Sequence, residues 1–169
     1  MHTKLLIRPE TFTSRYQQWK AERRPLQLNA LKSSFESELF GMGSDDMRYE
    51  QDIHHARLLW QPDEMSKEDM SFWLDDFRNV LLGEHYFNQF SDERHEIFDN
   101  GVKYTIHRHY LKPQISFREI ITPDTSHLYG NIFLEHHFND DFNSLTINIH
   151  YYSHKLYLSF EKLMEIMLK

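Results

Sequence analysis

Imidazole is the reactive group this chain carries in excess, with 12 histidines among 169 residues. Seven of them lie between 107 and 154, and His107 and His109 are the pair whose spacing favours chemistry. Two residues apart on a β-strand, they project from the same face, alongside Lys103 and Thr105. Two neutral imidazoles so placed can share a metal ion if a neighbouring strand adds a carboxylate or a third imidazole. Glu135, His136, His137 and His150 are available for that place. The same residues also suit a polar sheet face whose imidazoles bond to nearby carboxylates, and on that reading no cofactor is expected. The adjacent pairs His54-His55 and His136-His137 cannot each converge on one ion, because strand neighbours point to opposite faces.

The stretch around Gly101, His107 and His109 partly resembles the first motif of the cupin family, in which a glycine, a His-x-His pair, a glutamate and a second glycine follow in order. The resemblance implies metal ligation by the two histidines. Gln114 stands where the glutamate ligand belongs and Ile121 where the second glycine belongs, and no Gly- and Pro-containing second motif follows.

Carboxylates are paired at Asp45-Asp46, Asp75-Asp76 and Asp140-Asp141. General acid–base work needs carboxyl groups converging in a shielded cleft. The first and last pairs read as loop residues and the middle pair as the exposed side of a helix, so solvated charge is the expectation. With no cysteine, thiolate zinc sites, iron–sulfur clusters, disulfides and cysteine nucleophiles are excluded. No nucleophile elbow, phosphate-binding glycine loop, zincin helix or EF-hand loop is present.

Charge is segregated. Residues 1–32 hold seven Lys/Arg against two Asp/Glu, a balance of +5, and residues 33–100 hold five against seventeen, or −12. An acidic protein repels phosphate backbones, which disfavours nucleic acid as a partner. The two segments attract, either within one molecule or between protein partners. Tyr16, Trp19, Arg23 and Arg24 are the residue types that interface hot spots favour, so they form the candidate partner-binding surface. No run approaches the ~20 apolar residues that span a bilayer, so membrane insertion is not expected and the cytoplasm is the expected compartment.

The elements that must position these residues follow from periodicity. Residues 1–40 read as a helical segment after a short strand at 4–8: Phe12, Tyr16 and Trp19 mark one helix, and Leu28, Leu31, Phe35 and Leu39 a second. Residues 47–60 suggest two short strands. Ser66 is an N-cap for a central amphipathic helix over 66–83, with Met70, Trp73, Leu74, Phe77, Val80 and Leu81 on its apolar face. From there the pattern alternates. Asn100-Gly101 signals a hairpin between strands at 93–99 and 102–111, with further strands at 114–121, 130–138 and 143–152. A C-terminal helix covers 153–169.

These elements describe one α+β domain spanning 1–169, with an antiparallel sheet of about four to six strands, one able to curve strongly, packed against N-terminal, central and C-terminal helices. The element order resembles that of cone-shaped nuclear-transport-factor-like folds. The functional expectation is a non-enzymatic protein-interaction module or self-associating oligomer: an assembly subunit, a chaperone or adaptor, or an inhibitor. The alternative is a small-molecule- or metal-dependent enzyme with a histidine-lined pocket in the curved sheet.

Overall fold

The computed structural model describes residues 7–52, 55–83, 87–113 and 130–151. The expected strand at 114–121 and helix at 153–169 lie outside the described residues. Helix α1 spans Ile7–Glu22 and α2 spans Arg24–Leu39. Helix α1 takes in Ile7 and Arg8, which had been assigned to a strand ending before Pro9. Proline is tolerated in a first helical turn, where its missing N–H has no intrahelical acceptor to lose. Pro25 opens α2 in the same way.

The strands β1 (Met47–Gln51) and β2 (His55–Trp60) precede helix α3 (Lys67–Gly83), and β3 (Phe87–Asp99), β4 (Val102–Pro113), β5 (Gly130–Phe138) and β6 (Asn143–Tyr151) follow it. They form one six-stranded antiparallel sheet in the order β1-β2-β6-β5-β4-β3, which with the helices makes an α+β fold. Among the described residues no helix is long and apolar enough to cross a membrane.

Two local signals act as their chemistry requires. The Ser66 hydroxyl accepts a hydrogen bond from the Asp69 N–H at 3.0 Å, capping α3. Asn100 and Gly101 take φ values of 52° and 81°, the doubly positive conformation of a two-residue hairpin turn. That turn sets the register, so Asp92 faces His109 and Arg94 faces His107.

Directly opposed residues of antiparallel strands share a face. On the helix side, one row across the sheet reads Leu58, Ile147, Leu134, His109, Asp92, and its neighbour reads Trp60, Leu145, His136, His107, Arg94. These two rows are therefore apolar from β2 to β6 and polar from β4 to β3, whereas the next row, Ala56, Ile149, Ile132, Leu111, Phe90, is apolar throughout.

Helix α3 crosses this face and buries Met70, Trp73, Leu74, Phe77 and Leu81. Its other side is covered too. Phe72 packs on Tyr16 and Trp19 of α1 with ring centroids 5.6 Å apart. Trp73 meets Trp19 at 5.3 Å and Trp60 at 5.6 Å, both edge-on. Such pairs contribute about 0.5–1.5 kcal/mol each beyond area burial.

Polar bonds complete the helix layer. The Gln27 Oε1 accepts from Trp19 Nε1 at 2.9 Å and from Trp73 Nε1 at 2.8 Å. Its Nε2 donates to Asp69 Oδ2 at 2.8 Å, which also accepts from Arg23 Nε at 3.1 Å. Arg24 Nε donates to Asp76 Oδ2 at 2.8 Å, and the Tyr16 hydroxyl to Asp76 Oδ1 at 3.4 Å. Asp76 thus departs from the expected exposed position. Its side chain is 1% exposed, because the α1–α2 hairpin covers the second face of α3.

Replacing Arg24 by Ala leaves the buried Asp76 carboxylate without its cation and should cost about 3–5 kcal/mol. Arg23→Ala, at a 43% exposed side chain, should cost no more than about 1 kcal/mol. Gln27→Leu strands two tryptophan N–H groups at about 1–3 kcal/mol each. Urea denaturation of the three variants against the parent chain measures this order.

Candidate functional site

The polar end of the helix-facing surface brings His107 and His109 together with residues from β3 and α3. Asp92 on β3 straddles the two rings. Its Oδ1 accepts from His107 Nε2 at 2.8 Å, and its Oδ2 lies 4.0 Å from His109 Nε2. From α3, Asp75 Oδ1 stands 3.8 Å from the same His109 nitrogen. Arg94 Nη2 lies 3.3 Å from His107 Nδ1. A guanidinium can only donate, so His107 accepts through Nδ1 and carries its proton on Nε2, toward Asp92.

His109 has no such partners. Its side chain is fully buried, with the Phe90 ring 5.1 Å and the His107 ring 4.8 Å from it, both edge-on. Both ring nitrogens lack a hydrogen-bond partner among the described residues. Burial, with His107 and Arg78 adding, pushes the imidazole down to about 4, while Asp92 and the Leu74 backbone oppose the shift without reaching hydrogen-bond geometry. A neutral buried imidazole with an unmade N–H bond carries a penalty of about 1–3 kcal/mol. Burial also raises the Asp75 carboxyl, with Asp92 adding and Arg78 and His107 opposing. The donor atoms of Asp92, His107 and His109 all lie within 4.8 Å of one another, a set that a cation could use.

His136 is the third imidazole on this face. Asn143 donates through Nδ2 to the Met65 carbonyl at 2.9 Å, which turns its Oδ1 toward His136 Nε2 at 2.5 Å. His136 therefore donates through Nε2 and keeps its lone pair on Nδ1. Burial pushes this ring down to about 4 as well, with His107, His137 and Arg94 adding and the Asn143 bond opposing. It borders a cavity of about 220 Å³ whose other walls include Lys67, Glu68, Ser71, Phe72 and Arg94. A larger hollow of about 440 Å³ lies at the loop end of the sheet, beside Asp45, Asp63, Asp140 and Asp141. Asp140 is fully exposed there, as a solvated charge would be.

The candidate partner-binding residues Tyr16, Trp19, Arg23 and Arg24 find their partners on α3 or α2 of the same chain. The attraction between the basic and acidic segments is met within the molecule by Arg15–Glu68 at 3.4 Å, Arg23–Asp69 and Arg24–Asp76. His107 and His109 do share a face, but it is the face beneath α3 rather than the solvent side. Of the four candidate third ligands, only His136 lies on it. Glu135, His137 and His150 alternate to the other face, where Glu135 pairs with Arg108 at 2.6 Å. Gln114 and Ile121, the departures from the cupin motif, lie outside the described residues, as does His54.

Asp75, Asp92 and Arg94 were missed. A strand beginning at 93 leaves out Asp92, and Asp75 had been placed in solvent. The signal for the two β3 residues was present, since a two-residue turn at Asn100-Gly101 by itself sets Asp92 opposite His109 and Arg94 opposite His107.

No family model, curated protein or solved structure matches this chain. The likeness to nuclear-transport-factor-like folds stays one of element order.

Both His109 and His136 titrate near 4 in the folded chain, against 6.5 for an ordinary imidazole. Below the ordinary value the unfolded chain binds more protons than the folded one. Stability should therefore be full above about pH 6.5 and fall as pH drops toward 4, by about 2 kcal/mol per histidine at pH 4.5. The raised Asp75 carboxyl acts in the opposite sense, between 3.8 and its folded value. Urea midpoints from pH 8 to 4.5 measure the loss, and His136→Phe should flatten the profile.

Proposed function

We propose that the protein is a small-molecule enzyme whose pocket lies between α3 and the helix-facing side of β3–β5. One observation carries this reading: His136, on the same helix-facing side as His107 and His109, lines a cavity between the helix layer and the sheet together with Arg94 and Lys67. A pocket with a few convergent polar groups is where ligands are held.

The walls favour a small anion. Among the described residues Arg94 has no carboxylate partner and Lys67 pairs only with the fully exposed Asp140. His136 Nδ1 supplies an acceptor for a substrate hydroxyl or N–H. Thermal-shift and calorimetric titration with small carboxylates and phosphates should give binding that neutral analogues lack. Arg94→Ala, a surface change, should weaken it by about 10–100-fold, the worth of a hydrogen bond to a charged group. Equal binding of neutral analogues, or no effect of Arg94→Ala, would contradict the reading.

A second reading, a protein-interaction module or self-associating subunit, is supported by bare apolar side chains beyond the end of α2, where Phe40 is 75% and Met42 73% exposed. On that reading, sedimentation should show an oligomer that Phe40→Ser with Met42→Ser dissociates. A monomer at all concentrations would remove the self-association form of it.

A further inference from the structure

We infer that Asp92, His107 and His109 form a binding site for one divalent transition-metal ion, with Asp75 standing beside His109 as the neighbouring carboxylate. The inference goes beyond the pocket reading and stands apart from it, because none of the four residues lines the 220 Å³ cavity.

The spacing of the donor atoms is the first support. A nitrogen and an oxygen bound to one zinc-class ion at about 2.0–2.2 Å each lie at most about 4.2 Å apart. His109 Nε2 stands 3.8 Å from Asp75 Oδ1 and 4.0 Å from Asp92 Oδ2. Both gaps are too long for a hydrogen bond. Both are within the span across a shared ion, and the whole Asp92–His107–His109 set lies within 4.8 Å, which a small side-chain shift closes.

The second support is His109 itself, a fully buried imidazole with neither nitrogen bonded among the described residues. An ion would complete its coordination. His107 Nε2, held 2.8 Å from Asp92 Oδ1, supplies the second imidazole. Two nitrogens and a carboxylate suit zinc, cobalt(II), iron(II), nickel or manganese, whereas calcium and magnesium prefer oxygen alone. Asp92 is 49% exposed on the edge strand β3, which leaves the ion a route in and an open position for water.

Arg94 opposes this state. A metal on His107 Nε2 moves the ring proton to Nδ1, where Arg94 now donates. The guanidinium must then swing away.

The test is absorption and calorimetric titration of the chelator-treated full chain, without a histidine tag, with cobalt(II) and then zinc. The expected result is one ion per chain, with the intense visible bands of a four- or five-coordinate cobalt site. Asp92→Asn and His107→Gln should each weaken binding at least tenfold, roughly the least a lost ligand should cost given what outer-shell changes cost. Arg94→Ala should bind as tightly or more so, even though it weakens anion binding in the neighbouring cavity. His95→Ala, at an exposed histidine, should change nothing. Circular dichroism checks that each variant is folded. Cobalt left in its six-coordinate aquo spectrum, or bound equally by Asp92→Asn and His107→Gln, would overturn the site.

Discussion

The fold depends on the two-sided burial of α3. An amphipathic helix lying on a sheet normally keeps one face in water, with an apolar stripe toward the core. Here the second face is roofed by α1 and α2, and the polar groups along it must be satisfied without solvent. Gln27 does most of this. One amide oxygen takes the N–H groups of two tryptophans from different helices, and the amide nitrogen turns to Asp69. A side chain with both acceptor and donor is needed at that junction, because an indole can only donate and a carboxylate can only accept. The Arg24–Asp76 pair closes the same layer nearby, with a 17% exposed guanidinium on a buried carboxylate.

The roof has a consequence for chemistry. With α3 held between two layers, Asp75 projects against His109 while its sequence neighbour Asp76 turns to Arg24. Adjacent carboxylates thus serve different purposes, one bonded to a cation and the other raised by burial next to a neutral imidazole. The sheet contributes in the same graded way. Across two of its helix-facing rows the residues pass from Leu58 and Trp60 to Asp92 and Arg94. Apolar packing holds α3 at one end, and the other end is left for polar groups that packing alone does not explain.

Much of the architecture was legible because local signals and the global fold agree. Ser66 caps α3 as a serine at an N-cap does, and the alternation of Leu145, Ile147 and Ile149 puts all three in the core. The failures were at places where a neighbour from elsewhere in the chain decided the outcome. Asp76 read as solvated and is roofed. Tyr16, Trp19, Arg23 and Arg24 have the composition of an interface, and their hydrogen bonds among the described residues run between helices of one molecule.

By itself, the sequence determined the period of α3 and of the strands that follow it, the two-residue hairpin and hence the pairing of β3 with β4, because these follow from backbone preferences within a few residues. It also determined that His107 and His109 share a face. Which face that was, and which carboxylates stand against it, was decided only by tertiary structure. Alternation distinguishes two sides of a strand without saying which is covered, and Asp75 reaches His109 only once α3 is laid across the sheet.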